Sequence, residues 1–173
     1  MYRNTFLSVM FLACCFNGSL CAQSDAQIYE RTCDAKTYPF SDPSPVATPN
    51  NSYYPYFRFD GFSMQAQEKQ WKMVVLENDY VKLTVTPEIG GKIWGAIDKV
   101  NNKEFVYTNG VVKFRDVAMR GPWTSGGIEF NFGIIGHAPT CSTPIDYLTK
   151  KNVDGSVSCH IFSYEWITRT VWN

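Results

Sequence analysis

The chain has 173 residues, 45% hydrophobic and 16% aromatic, and its 16 Lys and Arg are balanced by 16 Asp and Glu. With no basic surplus to neutralise phosphates, nucleic acid is excluded as an expected partner. The aromatic content also excludes disorder over the whole chain, and the length allows one domain.

The first 22 residues carry the marks of an export signal. Arg3 supplies a positive start, residues 6–16 form an apolar core of 11 residues broken by Ser8, and Cys21-Ala22 closes a small-residue stretch. A run this short falls well under the about 20 residues needed to cross a bilayer. It predicts a signal cleaved after Ala22 and a periplasmic, cell-surface or secreted protein. The alternative is lipid attachment at Cys14 or Cys21, the one route by which a membrane becomes a partner. Cleavage leaves Cys33, Cys141 and Cys159, an odd set in which at least one thiol lacks an internal partner. A Cys141–Cys159 bridge and two reduced, buried thiols both remain open.

Residues 23–52 are polar, and Pro39, Pro43, Pro45 and Pro49 fall within 11 residues of one another. Such a stretch reads as a linker or extended arm ahead of a domain over 53–173. The aromatic run Tyr53-Tyr54-Pro55-Tyr56-Phe57-Arg58-Phe59 suits an edge strand or a pad over the core, since Pro55 cannot donate to a central ladder. Beyond residue 70 the pattern turns to strands. Residues 72–76 form a short apolar run, and Asn78-Asp79 suits a hairpin turn. Over 80–86, Val81, Leu83 and Val85 alternate with Lys82, Thr84 and Thr86. Pro87 to Gly91 breaks this strand, a second runs over 92–98, and Asn101-Asn102-Lys103 turns into a third at 104–107. Further strands are expected at 128–132, 156–163 and 165–172. Trp71, Trp94, Trp166 and Trp172 are assigned to the core. No window after residue 70 shows sustained helical periodicity, so the expected fold is an all-β, antiparallel β-sandwich. The last residues alternate and then stop without a turn or polar tail, so the chain is expected to be the front portion of a larger protein.

Candidate chemistry gathers in the run from Arg120 to His137. Alternation puts Ile128, Phe130 and Phe132 on one face, where a packed core is expected, and Glu129 and Asn131 on the other. Gly126 and Gly127 remove side-chain bulk and let a ligand approach the backbone. Arg120 and Trp123 lie at the mouth of the same loop. A guanidinium, an indole face, a carboxylate and an amide suit a sugar, stacking on its C–H face and bonding its hydroxyls. The competing reading is a solvated face beside a β-bulge. Asp116 is a candidate second carboxylate, with a salt bridge as its plainer role.

The segments LENDYVKLTVTPEIGGKIWGAIDKVNNKEFVY (76–107) and RGPWTSGGIEFNFGIIGH (120–137) resemble a family of exported bacterial proteins catalogued as a domain of unknown function. That family is grouped with the galactose-mutarotase-like supersandwiches. The Gly126-Gly127-Ile128 run is also similar to a Gly-Gly-Ile segment of hexose-phosphate epimerases. The resemblance implies a partial mutarotase-like supersandwich that handles carbohydrate on a concave sheet face, so a glycan is the expected partner. In mutarotase-like enzymes a histidine acts as acid and a glutamate late in the domain as base. His137 falls where early substrate-contacting residues of such enzymes occur; Glu129 is not at the position of the late base. For His137 the resemblance thus implies substrate contact first and acid second; Glu129 and His137 are the candidate catalytic residues, Glu129 without the role of the late base, and Arg120, Trp123 and Asn131 the candidate substrate contacts. A non-catalytic sugar-binding or scaffolding module is the alternative.

No metal or cofactor is expected. His137, Cys141, Cys159 and His160 lack zinc spacing, and no acidic calcium loop, P-loop, dinucleotide fingerprint or nucleophile elbow occurs.

Overall fold

The computed structural model describes residues 26–40, 61–116, 122–133, 136–165 and 167–173. The expected export signal, the aromatic run 53–59, Arg120 and Trp166 lie outside these residues. The described part is all-β, with ten strands and two single-turn 3-10 segments. In chain order the strands are β1 (Gln27–Tyr38), β2 (Gln67–Glu77), β3 (Val81–Thr86), β4 (Lys92–Asp98), β5 (Lys103–Val106), β6 (Val112–Asp116), β7 (Pro122–Thr124), β8 (Asp146–Lys151), β9 (Val157–Glu165) and β10 (Thr170–Trp172).

Local chemistry sets the turns. Asn78 Oδ1 accepts from the backbone N–H groups of Tyr80 and Val81, both at 2.9 Å, an Asx turn that reverses β2 into β3. Pro87 then starts a 3-10 turn, and Gly90 and Gly91 leave it with φ near 65°. A Cβ on Gly90 would lie 2.5 Å from the Cys141 backbone, so this corner packs too closely for any side chain. Asp98 Oδ1 accepts from Val100 N at 2.9 Å and orders the turn from β4 into β5.

Seven strands form one sheet in the order β5-β4-β3-β2-β1-β6-β7, and three form a second in the order β10-β9-β8. All pairs are antiparallel except β1–β6, which is parallel through Thr37↔Val112 and Tyr38↔Lys113. The large sheet curls until the chain after β7 returns to β4. There Ile128 and Ile93 exchange backbone bonds of 2.9 and 3.1 Å, and Gly127 N donates to Tyr107 O at 2.8 Å. Inside the curl Trp71, Met73, Ile89, Trp94, Val112 and Phe114 form the buried cluster, with Cys33, Ala35 and Phe40 against it. Each such large apolar side chain stabilises the fold by roughly 1.5–3 kcal/mol. The Trp71 indole N–H is satisfied by Thr37 Oγ1 at 2.9 Å. The second sheet lies over the outer face, making a β-sandwich; Tyr147 on β8 donates to Glu30 on β1 at 2.7 Å. Between the sheets Leu76, Leu83, Val85, Ile93, Ile161 and Trp172 border a cavity of 460 Å³.

Three expectations from the sequence need correction. The first half of the supposed linker contains β1, which pairs with β2 from Gln27↔Glu77 to Thr37↔Gln67. All four prolines follow Tyr38, so nothing in β1 lacks a donor, and its polar composition reflects two largely exposed faces. The strand at 128–132 is a single bridge at Ile128. Continuing that antiparallel register would set Phe130 against Gly91, which already lies in the turn before β4. Ile128, Phe130 and Phe132 are accordingly 44, 38 and 38% exposed rather than a packed core. The strand at 165–172 shrinks to β10 because residues 167–169 form a turn, capped where Thr168 N and Oγ1 donate to Glu165. Of the expected core tryptophans Trp71, Trp94 and Trp172 are buried. Cys33, Cys141 and Cys159 are free thiols, so the open alternative of a Cys141–Cys159 bridge does not hold.

Candidate functional site

Gly126 and Gly127 have φ of 82° and 71°, conformations that strain any residue with a Cβ. At Gly127 a Cβ would also meet Ile93 O at 2.4 Å. Glycine thus lets this segment close onto β4, and the closure delivers Glu129 to the rim of the curl. Glu129 Oε1 accepts from Asn131 Nδ2 at 3.0 Å. His137 Nδ1 lies 2.8 Å from the same oxygen, off the line that an N–H bond would take. The backbone N–H of His137 donates to Asn131 Oδ1, so the Asn131 amide bonds the histidine backbone with one end and the glutamate with the other. His137 itself has a φ of 57°. A non-glycine residue there carries strain on the order of 1–3 kcal/mol, which surrounding bonds must offset. The Trp123 ring stands 6.5 Å from the imidazole at an interplanar angle of 60°.

Two buried groups support this rim. Lys92 is 2% exposed, and its Nζ donates to Thr124 O at 2.6 Å and Thr124 Oγ1 at 2.9 Å. Burial pulls its pKa below the ordinary lysine value, while the Glu129 carboxylate pushes it back up. The Cys141 thiol lies 3.2 Å from Asn131 Oδ1 and 3.5 Å from Phe130 O. Burial, followed by the nearby Glu129 charge, pushes it up to about 12. It therefore stays protonated near neutral pH and serves as a weak donor rather than a nucleophile.

Glu129, Asn131, His137 and Trp123 are thus brought together, and Glu129 and Asn131 face the same side. Asp116 ends β6 and pairs with Pro122. The sequence reading missed Lys92 and Thr124. The available signal was parity: Lys92, Trp94 and Ala96 share one face of β4, so a lysine sits on an otherwise apolar, inward row. For Cys141 the sequence raises a bridge or a metal role, not that of a donor to Asn131. Among the described residues no three His, Cys, Asp or Glu side chains are grouped to hold a metal ion. Chemically, a carboxylate, an imidazole and an amide beside an indole can exchange a proton with a bound hydroxyl.

Residues 48–173 match a domain of unknown function, DUF5107. The chain belongs to the DUF5107 family. Glu129, Asn131, His137 and Lys92 all fall inside the matched part of this DUF5107 chain, whereas β1 precedes it. The chain is also similar to the crystal structure of a TPR-domain containing protein from Parabacteroides distasonis, with a TM-score of 0.72 and 27% identity. That likeness covers 83% of this chain and 25% of the other, so the chain spans a quarter of that protein's length.

Proposed function

We propose that this DUF5107 domain handles carbohydrate in an exported protein, on a β-sandwich of the galactose-mutarotase-like kind. The observation that carries the reading is the convergence on Glu129 Oε1 of Asn131 Nδ2, which bonds it at 3.0 Å, and of His137 Nδ1, 2.8 Å away, beside an indole. The Trp123 ring offers a stacking face for a sugar, and Asn131 and Arg120 supply hydroxyl contacts. His137 moves a proton at the sugar while Glu129 orients the imidazole and steadies its charged form. Interconverting anomers needs one group that takes a proton from the anomeric hydroxyl and one that supplies the ring oxygen. Hydrolysis instead needs two carboxyl groups, about 5–9.5 Å apart. Residues 1–22 and the two resembling segments support export and the mutarotase-like grouping.

A non-catalytic binding or scaffolding module is the second reading. It is favoured by the 13% exposure of the Glu129 side chain, whose Oε1 already accepts from Asn131 and lies against the His137 imidazole. The likeness to a quarter of a TPR-domain containing protein is in keeping with such a module within a longer chain. The test compares the full chain with Glu129→Ala and His137→Ala on a panel of glycans, scoring both turnover and retention. Loss of turnover with retained binding supports the enzyme. Binding by the wild type without turnover supports the module, and neither binding nor turnover overturns the carbohydrate reading.

A further inference from the structure

On the outer face of the curled sheet, cations gather around one aromatic ring. Tyr38 ends β1, with Lys36 two residues before it and Lys113 opposite it in register on β6. Lys36 Nζ lies 5.9 Å, Lys113 Nζ 5.1 Å and the Arg115 guanidinium 6.0 Å from the Tyr38 ring centre. Arg115 also lies 4.9 Å from the Phe62 ring. It donates to Phe114 O at 2.6 Å and reaches Met64 Sδ at 3.4 Å, two of the five donors that a guanidinium carries. Among the described side chains, which do not include that of Asp116, none of the three cations has a carboxylate within ion-pairing distance, although Glu68 stands across the ladder from Lys36. Three like charges around one ring repel one another, and the ring face offsets only part of this.

Register ties this patch to the site. Arg115 pairs directly with Trp123 on β7, so the two side chains stand on the same side of the sheet. Trp123 in turn faces His137 at 6.5 Å. Lys36, Tyr38, Lys113, Arg115 and Trp123 thus form one strip across three strands, about 10 Å wide at the usual interstrand spacing. It ends beside Glu129 and His137.

We propose that this strip binds the acidic groups of a glycan whose next unit enters the Glu129–His137 site. The proposal rests on the carbohydrate reading and names its substrate class: a chain carrying carboxylates or sulfates. Arg115 and Lys113 pair with the anionic groups, and the indole of Trp123 stacks on the ring that follows. Aromatic and cationic side chains in one row also suit single-stranded nucleic acid. Acidic glycan is favoured because the Tyr38 ring is occupied by cations instead of presenting an open face, and because the balanced net charge lacks the surplus that nucleic-acid binders carry.

The test is affinity electrophoresis of the full chain through gels holding polygalacturonate, a neutral galactan or oligodeoxythymidylate, each at low and high salt. The variants are K113Q/R115Q and K36Q, on a patch away from the core, with their melting temperatures checked against wild type. The expected result is salt-sensitive retardation by polygalacturonate above galactan, weakened about tenfold or more in K113Q/R115Q. Equal retardation by both glycans, unchanged in the variants, overturns the acidic assignment and leaves the carbohydrate reading standing. Retardation by oligodeoxythymidylate as strong as by polygalacturonate overturns it in favour of a general polyanion surface. No retardation by either glycan overturns both.

Discussion

Lys92 Nζ sits 2.6 Å from the carbonyl oxygen of Thr124, and this bond joins β4, next to one edge of the curled sheet, to β7 at the other edge. Replacing Lys92 by Met leaves Thr124 O without its donor and Glu129 without a nearby cation. Bonds to charged groups contribute about 1.5–3 kcal/mol each, so a loss of that order is expected in urea unfolding. Lys92→Arg should not restore stability, because a guanidinium does not fit a site that is 2% exposed.

The Cys141 thiol titrates near 9.0 when unfolded and at about 12 in the fold. Below pH 9 both states hold the proton, and the contribution is fully present. Between pH 9 and about 12 only the native state keeps it, so stability falls as pH rises. Lys92 works in the opposite direction, since its folded value is lowered from 10.5 and its burial penalty eases as it deprotonates. Chemical denaturation from pH 8 to 11 should therefore show a shallower decline in Cys141→Ala than in wild type. An identical slope would count against the buried-thiol assignment.

Gly127→Ala should cost more than about 1 kcal/mol, because its φ is 71° and the added Cβ would strike Ile93 O. The displaced segment carries Glu129, so binding or turnover should fall with stability. Gly110→Ala meets nothing within 4 Å and serves as the control. Thermal melts of the two variants make the comparison.

A chain shortened to residues 48–173 keeps everything that the family match covers and loses β1. Strands β2 and β6 would then lose their shared neighbour, and Trp71 would lose its Thr37 acceptor. Exposed strand edges invite pairing with other chains. Light scattering should show aggregation of the shortened chain at concentrations where one beginning at residue 23 stays dispersed.

The elements legible in the sequence are those with one apolar face. Val81, Leu83 and Val85 alternate into β3, and β4 covers the expected residues, 92–98. By contrast β1 and β8 are polar on most positions and leave no such trace. Glu129 and Asn131 do share a side, but through a local side-chain bond just after the Ile128 bridge rather than through strand alternation. Contacts such as Lys92–Thr124 span 32 residues and depend on the curl, which no local pattern encodes.

Because β1 runs between β2 and β6 yet precedes residue 48, the stretch that marks kinship and the body that folds have different outlines. Expression boundaries drawn from the resemblance alone would cut through the middle of a sheet. Any relative whose opening segment looks dispensable by composition should be inspected for a hidden ribbon of this kind before it is trimmed.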